Sequence, residues 1–329
     1  MKKIKLDQLD KHILFELDKN SRTPTTTLAK KLERSRETIV YRINNLIKKG
    51  VIKKFVTMIN PAKLGYTIFR VYAQIENKKE ERERMINNLK KSQNIWWIAE
   101  CSGVWDIIFL FFTKNASTFY DLKNKMLVEY RNLVIKDIVG VHVDTYQFAK
   151  KYLIDNEYSC DLIGGPPVYN EIDEVDKKIL NILSNNARIP LTELAKNVNS
   201  AEQTVRNKMK NMEEKGIIVK YCCFLDLSKI GLAFFKANIY FSILNTKREL
   251  AFIEYLKIHP QARYYIRSVA PWGAEVEFVA ENLNDFRGIM DKIKDDFSDI
   301  IKHYEFVLIS WEDWLPGGIF NKNDKTQIL

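Results

Sequence analysis

The chain has 329 residues, of which 46% are hydrophobic and 12% aromatic, so it can bury two to four cored domains and is not a disordered polymer. Lys and Arg number 52 against 42 Asp and Glu, a formal net charge of +10, which favours an anionic partner. No apolar run approaches a membrane span, and Met1-Lys2-Lys3-Ile4-Lys5 lacks the apolar segment of a signal peptide, so a cytoplasmic protein without a membrane partner is expected.

In chain order, Asp10 to Leu17 has helical spacing at Ile13, Leu14 and Leu17, and Asn20 to Pro24 breaks it. A short helix through Leu28, Ala29 and Leu32 follows. The polar turn Glu33-Arg34-Ser35 then leads into a longer helix with Ile39, Ile43, Leu46 and Ile47 as its inner stripe and Gly50 as its stop. This is a helix-turn-helix, and Val51 to Met58 alternates as a small β-wing. Strands are expected over Thr67 to Ile75, Ile95 to Glu100, Trp105 to Phe112 and Lys136 to Lys150. Helices are expected over Lys78 to Lys91 and Ser117 to Asn132. The order is βαββαβ, a ferredoxin-like sandwich.

The pattern then repeats. Leu6 to Gly65 aligns without a gap on Ile172 to Gly231: Arg22-Thr23-Pro24 answers Arg188-Ile189-Pro190, and Lys49-Gly50-Val51-Ile52 answers Lys215-Gly216-Ile217-Ile218. A period this long marks duplicated domains rather than a solenoid. The expected class is α+β, with a tandem duplication of a winged helix-turn-helix followed by a βαββαβ domain. The expected boundaries are 1–60, 61–155, a linker at 156–170 signalled by Gly164-Gly165-Pro166-Pro167, 171–226, 227–316 and a tail at 317–329.

The first recognition helix would lie in a DNA major groove. Its outer face carries Ser35, Arg36, Glu37, Val40, Tyr41 and Asn44. Arg36 and Asn44 suit guanine and adenine edges, and Arg34, Arg42, Lys53 and Lys54 suit phosphates. The second helix presents a different set, with Gln203, Arg206, Asn207 and Lys210 as possible contacts. Charge separates the two modules. Residues 1–60 hold fifteen Lys or Arg against six acids, whereas residues 171–226 hold nine of each. The first module is therefore expected to dominate affinity for double-stranded DNA.

A helix-turn-helix with a wing followed by βαββαβ resembles the Lrp/AsnC family. The motifs that carry the resemblance are Leu6-Asp7-x-x-Asp10, Leu28-Ala29-Lys30-Lys31-Leu32, Ser35-x-x-Thr38-Ile39-x-x-Arg42-Ile43-x-x-Leu46 and Gly50-Val51-Ile52. In the second domain, Gly103-Val104-Trp105-Asp106 resembles the family's Gly-x-aromatic-Asp turn. The resemblance implies a DNA-binding transcription regulator that self-associates through its βαββαβ domains. It also implies a small-molecule effector, commonly an amino acid, near Ser102, Gly103 and Asp106. Two copies in one chain imply an intrachain pseudo-dimer. In the second copy Ala270-Pro271-Trp272-Gly273-Ala274-Glu275 replaces that turn, and the aspartate has no clear counterpart.

The competing expectation is a tetrapyrrole enzyme, since the sirohaem decarboxylases resemble the same architecture. The stretch Asn94-Ile95-Trp96-Trp97-Ile98-Ala99 lacks the histidine of that branch, and His12, His142, His259 and His303 converge on no motif. Cys101, Cys160, Cys222 and Cys223 form no CxxC or His/Cys ligand spacing. No catalytic residue, cofactor or metal is therefore expected. Trp96-Trp97 and Trp311-x-x-Trp314 are read as sandwich core or dimer surface before ligand pocket.

Overall fold

The structure, a computed structural model, describes residues 3–155, 157–242 and 245–315. The expected tail at 317–329 lies outside them. The first copy opens with α1 (Gln8–Lys19), α2 (Thr25–Lys31) and α3 (Arg36–Lys48), and the second with α6 (Glu174–Asn185), α7 (Leu191–Asn197) and α8 (Glu202–Glu214). Asp7 and Asp10 form a capping box on α1, and Asp173 and Asp176 form the same box on α6. Ile13, Leu14 and Leu17 are fully buried as their spacing predicts, but Ile47 is 43% exposed and leaves the inner stripe to Ile39, Ile43 and Leu46. Gly50 and Gly216 end the third helices at φ +73° and +68°, a conformation that favours glycine.

Each third helix leads into a strand, β1 (Ile52–Ile59) or β7 (Ile218–Leu225). These two strands pair antiparallel with each other, Phe55 opposite Cys223 and Val56 opposite Cys222. The wing of each copy thus finds its partner in the other copy, which satisfies the main-chain groups that a lone strand would leave open. The turns are crossed in the same way. Arg22 Nη1 donates to the carbonyls of Ala187 at 2.6 Å and Ile189 at 3.1 Å, and Arg188 Nη1 donates to the carbonyl of Ser21. The repeated arginine and proline of the two turns therefore mark a mutual clasp.

The sandwich of the first copy comprises β2 (Thr67–Ile75), α4 (Lys79–Lys91), β3 (Ile95–Gly103), β4 (Ile107–Thr113), α5 (Ala116–Leu127) and β5 (Val134–Phe148). The second comprises β8 (Ala233–Phe241), α9 (Thr246–Ile258), β9 (Ala262–Val269), β10 (Ala274–Ala280), α10 (Leu283–Asp296) and β11 (Ile301–Trp314). Strand orders are β5-β2-β4-β3 and β11-β8-β10-β9. Each last strand outgrows its own sheet and pairs with the second strand of the other copy: β11 with β3, and β5 with β9. The eight strands close on themselves, so the two domains form the expected intrachain pseudo-dimer.

Helices cover the outer face of each sheet. Phe69 stacks on Phe119 at 4.2 Å in one copy, and Phe235 stacks on Phe286 at 4.5 Å in the other. The opposite faces meet inside. The expected linker needs correction: Cys160–Gly164 forms a further strand, β6, along the second half of β5, and Leu64 bridges to Tyr169. Main-chain groups at that edge of β5 are open beyond β2, and the segment fills them.

Candidate DNA-binding face and inter-sheet cavity

Helix α3 begins at Ser35, whose Oγ accepts from the Thr38 N–H at 3.1 Å. Arg34, Arg36, Glu37 and Asn44 are exposed beyond it, Tyr41 is 68% exposed, and Val40 is half-buried. Lys53 is exposed, with its Nζ 5.4 Å from the Phe224 ring centre. These residues share the surface expected of a major-groove reader. Two others do not. Arg42 Nη1 donates to Asp7 Oδ2 at 2.6 Å and to Asp10 Oδ1 at 3.2 Å, locking α3 to the capping box of α1. Lys54 Nζ is turned inward to Asp313 and Trp314 of β11. Each has an acceptor within the fold and serves as a structural cross-link.

Helix α8 shows Gln203, Arg206, Asn207 and Lys210 on its exposed side. Gln203 Nε2 donates to Asn207 Oδ1 at 2.9 Å, and Lys210 lies 3.6 Å from Glu214. Ala201 stands at the position of Ser35 and offers no side-chain cap. Lys208 takes the place of Arg42, bridging to Asp173 and Asp176. The scaffold is thus preserved in the second copy, while the reading surface is more self-satisfied.

Ser102 and Gly103 lie at the end of β3 rather than in a free turn, opposite Leu308 and Val307 of β11. Gly103 has φ +137°, and a Cβ there would come within 2.6 Å of the Phe306 carbonyl oxygen. Asp106 Oδ2 accepts from the Ile75 N–H at 2.9 Å, so its carboxylate caps the end of β2. The three expected effector residues are adjacent, but one oxygen of the only carboxylate among them is already in use.

Inside the closed sheet lies a polar network that the sequence reading missed. Arg70 Nη1 and Lys236 Nζ each donate to Glu275 Oε2 at 2.5 Å, Tyr72 and Ser268 donate to Glu275 through their hydroxyls, and Lys236 is 2.8 Å from Glu277. Burial pushes the Glu275 carboxyl up, but Arg70 and Lys236 outweigh it and hold it well below the usual range. Residues of both copies share this network, so removing one partner would strand a buried charge. The available signal was alternation: Arg70 and Tyr72 share one face of β2, and Lys236 shares the corresponding face of β8.

Beside the network is a cavity of about 60 Å³ lined by Arg70, Trp96, Trp97, His142, Arg263 and Trp314, among others. Trp96 packs edge-on to Trp314 at 5.4 Å. His142 Nε2 lies 2.7 Å from Thr145 Oγ1. Burial, then the neighbouring Arg70, pushes its imidazole down to about 3. Among the described residues no His/Cys/Asp/Glu cluster is arranged to hold a metal, and no helix is long and apolar enough to cross a membrane.

A family model for winged helix-turn-helix DNA-binding modules matches residues 6–53 and again 172–219. The HTH-type transcriptional regulator FL11 of Pyrococcus furiosus is 31% identical over 150 residues, covering 44% of this chain and 97% of that protein, or about one repeat. The HTH-type transcriptional regulator LrpA of Pyrococcus horikoshii is 50% identical over 60 residues, 18% of this chain and 43% of that one. The crystal structure of the siroheme decarboxylase NirDL superposes with a TM-score of 0.64, covering 95% of this chain and 96% of that chain at 13% identity. That likeness is one of fold alone.

Proposed function

The chain belongs to the Lrp/AsnC family of DNA-binding transcription regulators, and on that premise we propose that it reads a specific duplex sequence chiefly through its first helix-turn-helix. We further propose that a small molecule modulates it and that it acts by binding rather than catalysis. The observation that carries the reading is the exposed row Arg34, Arg36, Tyr41 and Asn44 on a basic module, set against the self-paired face of α8. Specificity needs base-edge donors and acceptors, while affinity needs positive charge, and the first module has both.

The histidines favour binding over acid–base chemistry. They sit at four separate places in the fold: His12 bonds to the Gln8 carbonyl, His303 stacks on Tyr240 at 4.1 Å, His142 is buried, His259 is half-buried after α9, and desolvation lowers the imidazole of both His142 and His259. Selection of bound sequences from random duplex DNA, followed by footprinting, tests the reading. Enrichment of one motif protected by the first module supports it, and failure to enrich any sequence overturns it. Titration with an iron porphyrin should leave the absorbance spectrum of the pigment unshifted; saturable binding would favour the tetrapyrrole alternative.

A further inference from the structure

The inter-sheet cavity has a neighbour. A chamber of about 360 Å³ lies between the start of β2, the middle of β5 and the segment Gly164-Gly165-Pro166-Pro167. Ile68, Val141, Val143 and the two prolines make its walls apolar, and among the described residues no acidic one lines it. His142 lines both spaces, and its ring lies against Gly164. The glycine-proline segment is fitted to this place. Gly164 has φ +102°, and a Cβ there would come within 2.7 Å of the Val143 carbonyl oxygen and 2.9 Å of His142 Cε1. Pro166 and Pro167, which are exposed, then form the outer wall.

The inner space has an excess of one kind of polar group. Arg70, Trp96 and Arg263 line it, and Arg70 Nε, Trp96 Nε1 and Arg263 Nη1 are each buried without a hydrogen-bond partner among the described residues, the last lying 4.0 Å from Glu312 Oε1. Arg70 is 5% exposed and Trp96 3%. Two carboxylates share the wall: Glu277 pairs with Lys236 at 2.8 Å, and Glu312 accepts from Trp97 Nε1 at 2.9 Å. Orphaned buried donors are costly, and an acceptor-bearing group would satisfy them.

We propose that the two chambers form one binding site for a small amphiphilic monocarboxylate. Its carboxylate lies in the inner space against Arg70, Trp96 and Arg263, and its branched or aromatic body lies in the outer chamber. The site lies apart from Ser102, Gly103 and Asp106. It also touches the DNA-binding half: Arg263, Tyr264 and Trp314 line both the inner space and a smaller cavity under the β1–β7 ribbon. Any consequence for DNA binding rests on the regulator reading, but occupancy itself does not.

Calorimetric titration of the full chain without DNA tests the site. The probes are phenylacetate and 4-methylpentanoate, with phenylacetamide and leucine as controls. One acid should bind once per chain, with the amide and the amino acid weaker by at least about tenfold, since neither matches three donors with an anion and no added cation. Trp96→Phe removes the indole N–H but keeps a ring, and should weaken the acid on the order of tenfold. Thr67→Trp should block the outer chamber and abolish binding while the circular dichroism spectrum stays unchanged. The proposal is overturned if neither acid binds, if phenylacetamide binds as well as phenylacetate, or if Trp96→Phe leaves affinity intact.

Discussion

Lys54 Nζ donates to Asp313 Oδ1 at 3.0 Å and to the Trp314 carbonyl at 2.6 Å, joining the strand after the first recognition helix to the last strand of the second sandwich. Its neighbour Lys53 is exposed. Lys54→Ala should therefore lower unfolding free energy by about 1–2 kcal/mol, discounted for a half-buried pair, and leave the salt dependence of DNA binding unchanged. Lys53→Ala should be neutral for stability and reduce the salt slope by about 0.9. Denaturant titration and salt-titrated binding of both variants separate the roles; the reverse pattern would return Lys54 to the DNA.

Arg36 is exposed at the start of α3, beside a capped first turn. If it reads a base edge, Arg36→Ala costs on the order of 1–3 kcal/mol and relaxes preference at one base pair. Arg206→Ala should cost much less. Equal losses, with a footprint from both modules of one chain, would refute the unequal division of labour.

Asp106 separates two roles by chemistry. Its Oδ2 accepts from the Ile75 N–H, a bond that an amide oxygen can also make. Asp106→Asn should therefore keep the thermal midpoint nearly unchanged, whereas Asp106→Ala should cost about 1–2 kcal/mol. A response of DNA binding to amino acids that survives in the wild type and vanishes in Asp106→Asn would assign the carboxylate to an effector as well.

His142 supplies a pH test. Burial, then Arg70, lowers its imidazole from 6.5 to about 3, and burial, then Lys151, lowers His259 to about 4. The unfolded chain takes up protons that the folded chain refuses. Stability from this source is complete above the ordinary value and drains away as pH falls from about 6.5 towards 3. Thermal melts between pH 7 and 4 should show that decline, and His142→Gln should make it shallower. Parallel curves for the two proteins would show that His142 is not held neutral.

Periodicity made most of the secondary structure legible. Thr67 to Ile75 and the turn glycines fall where local patterns put them, because those patterns report which side of an element is dry. Partners were not legible. The alternation of Val51 to Met58 announces a strand but carries no information that Phe55 faces Cys223 from the other repeat. The same limit hid the interior network. Arg70 and Lys236 are charged residues within apolar strands, and they are buried only because the two sheets close over them. The ion pairs of Arg42 and Lys54 were hidden for a related reason, since a positive side chain on a basic module resembles a phosphate contact and its carboxylate partner is distant in the chain.

The clasp of Arg22 and Arg188 and the β1–β7 ribbon are made within one polypeptide. A partnership of this kind needs no second molecule to arrive, so its completeness is independent of protein concentration and dilution does not undo it. Covalent linkage also frees the halves from identity. In a homodimer every substitution strikes both sides of the axis, whereas here Ala201 can replace the capping serine on one side alone. The DNA sequence that suits one such molecule accordingly has no need to be palindromic.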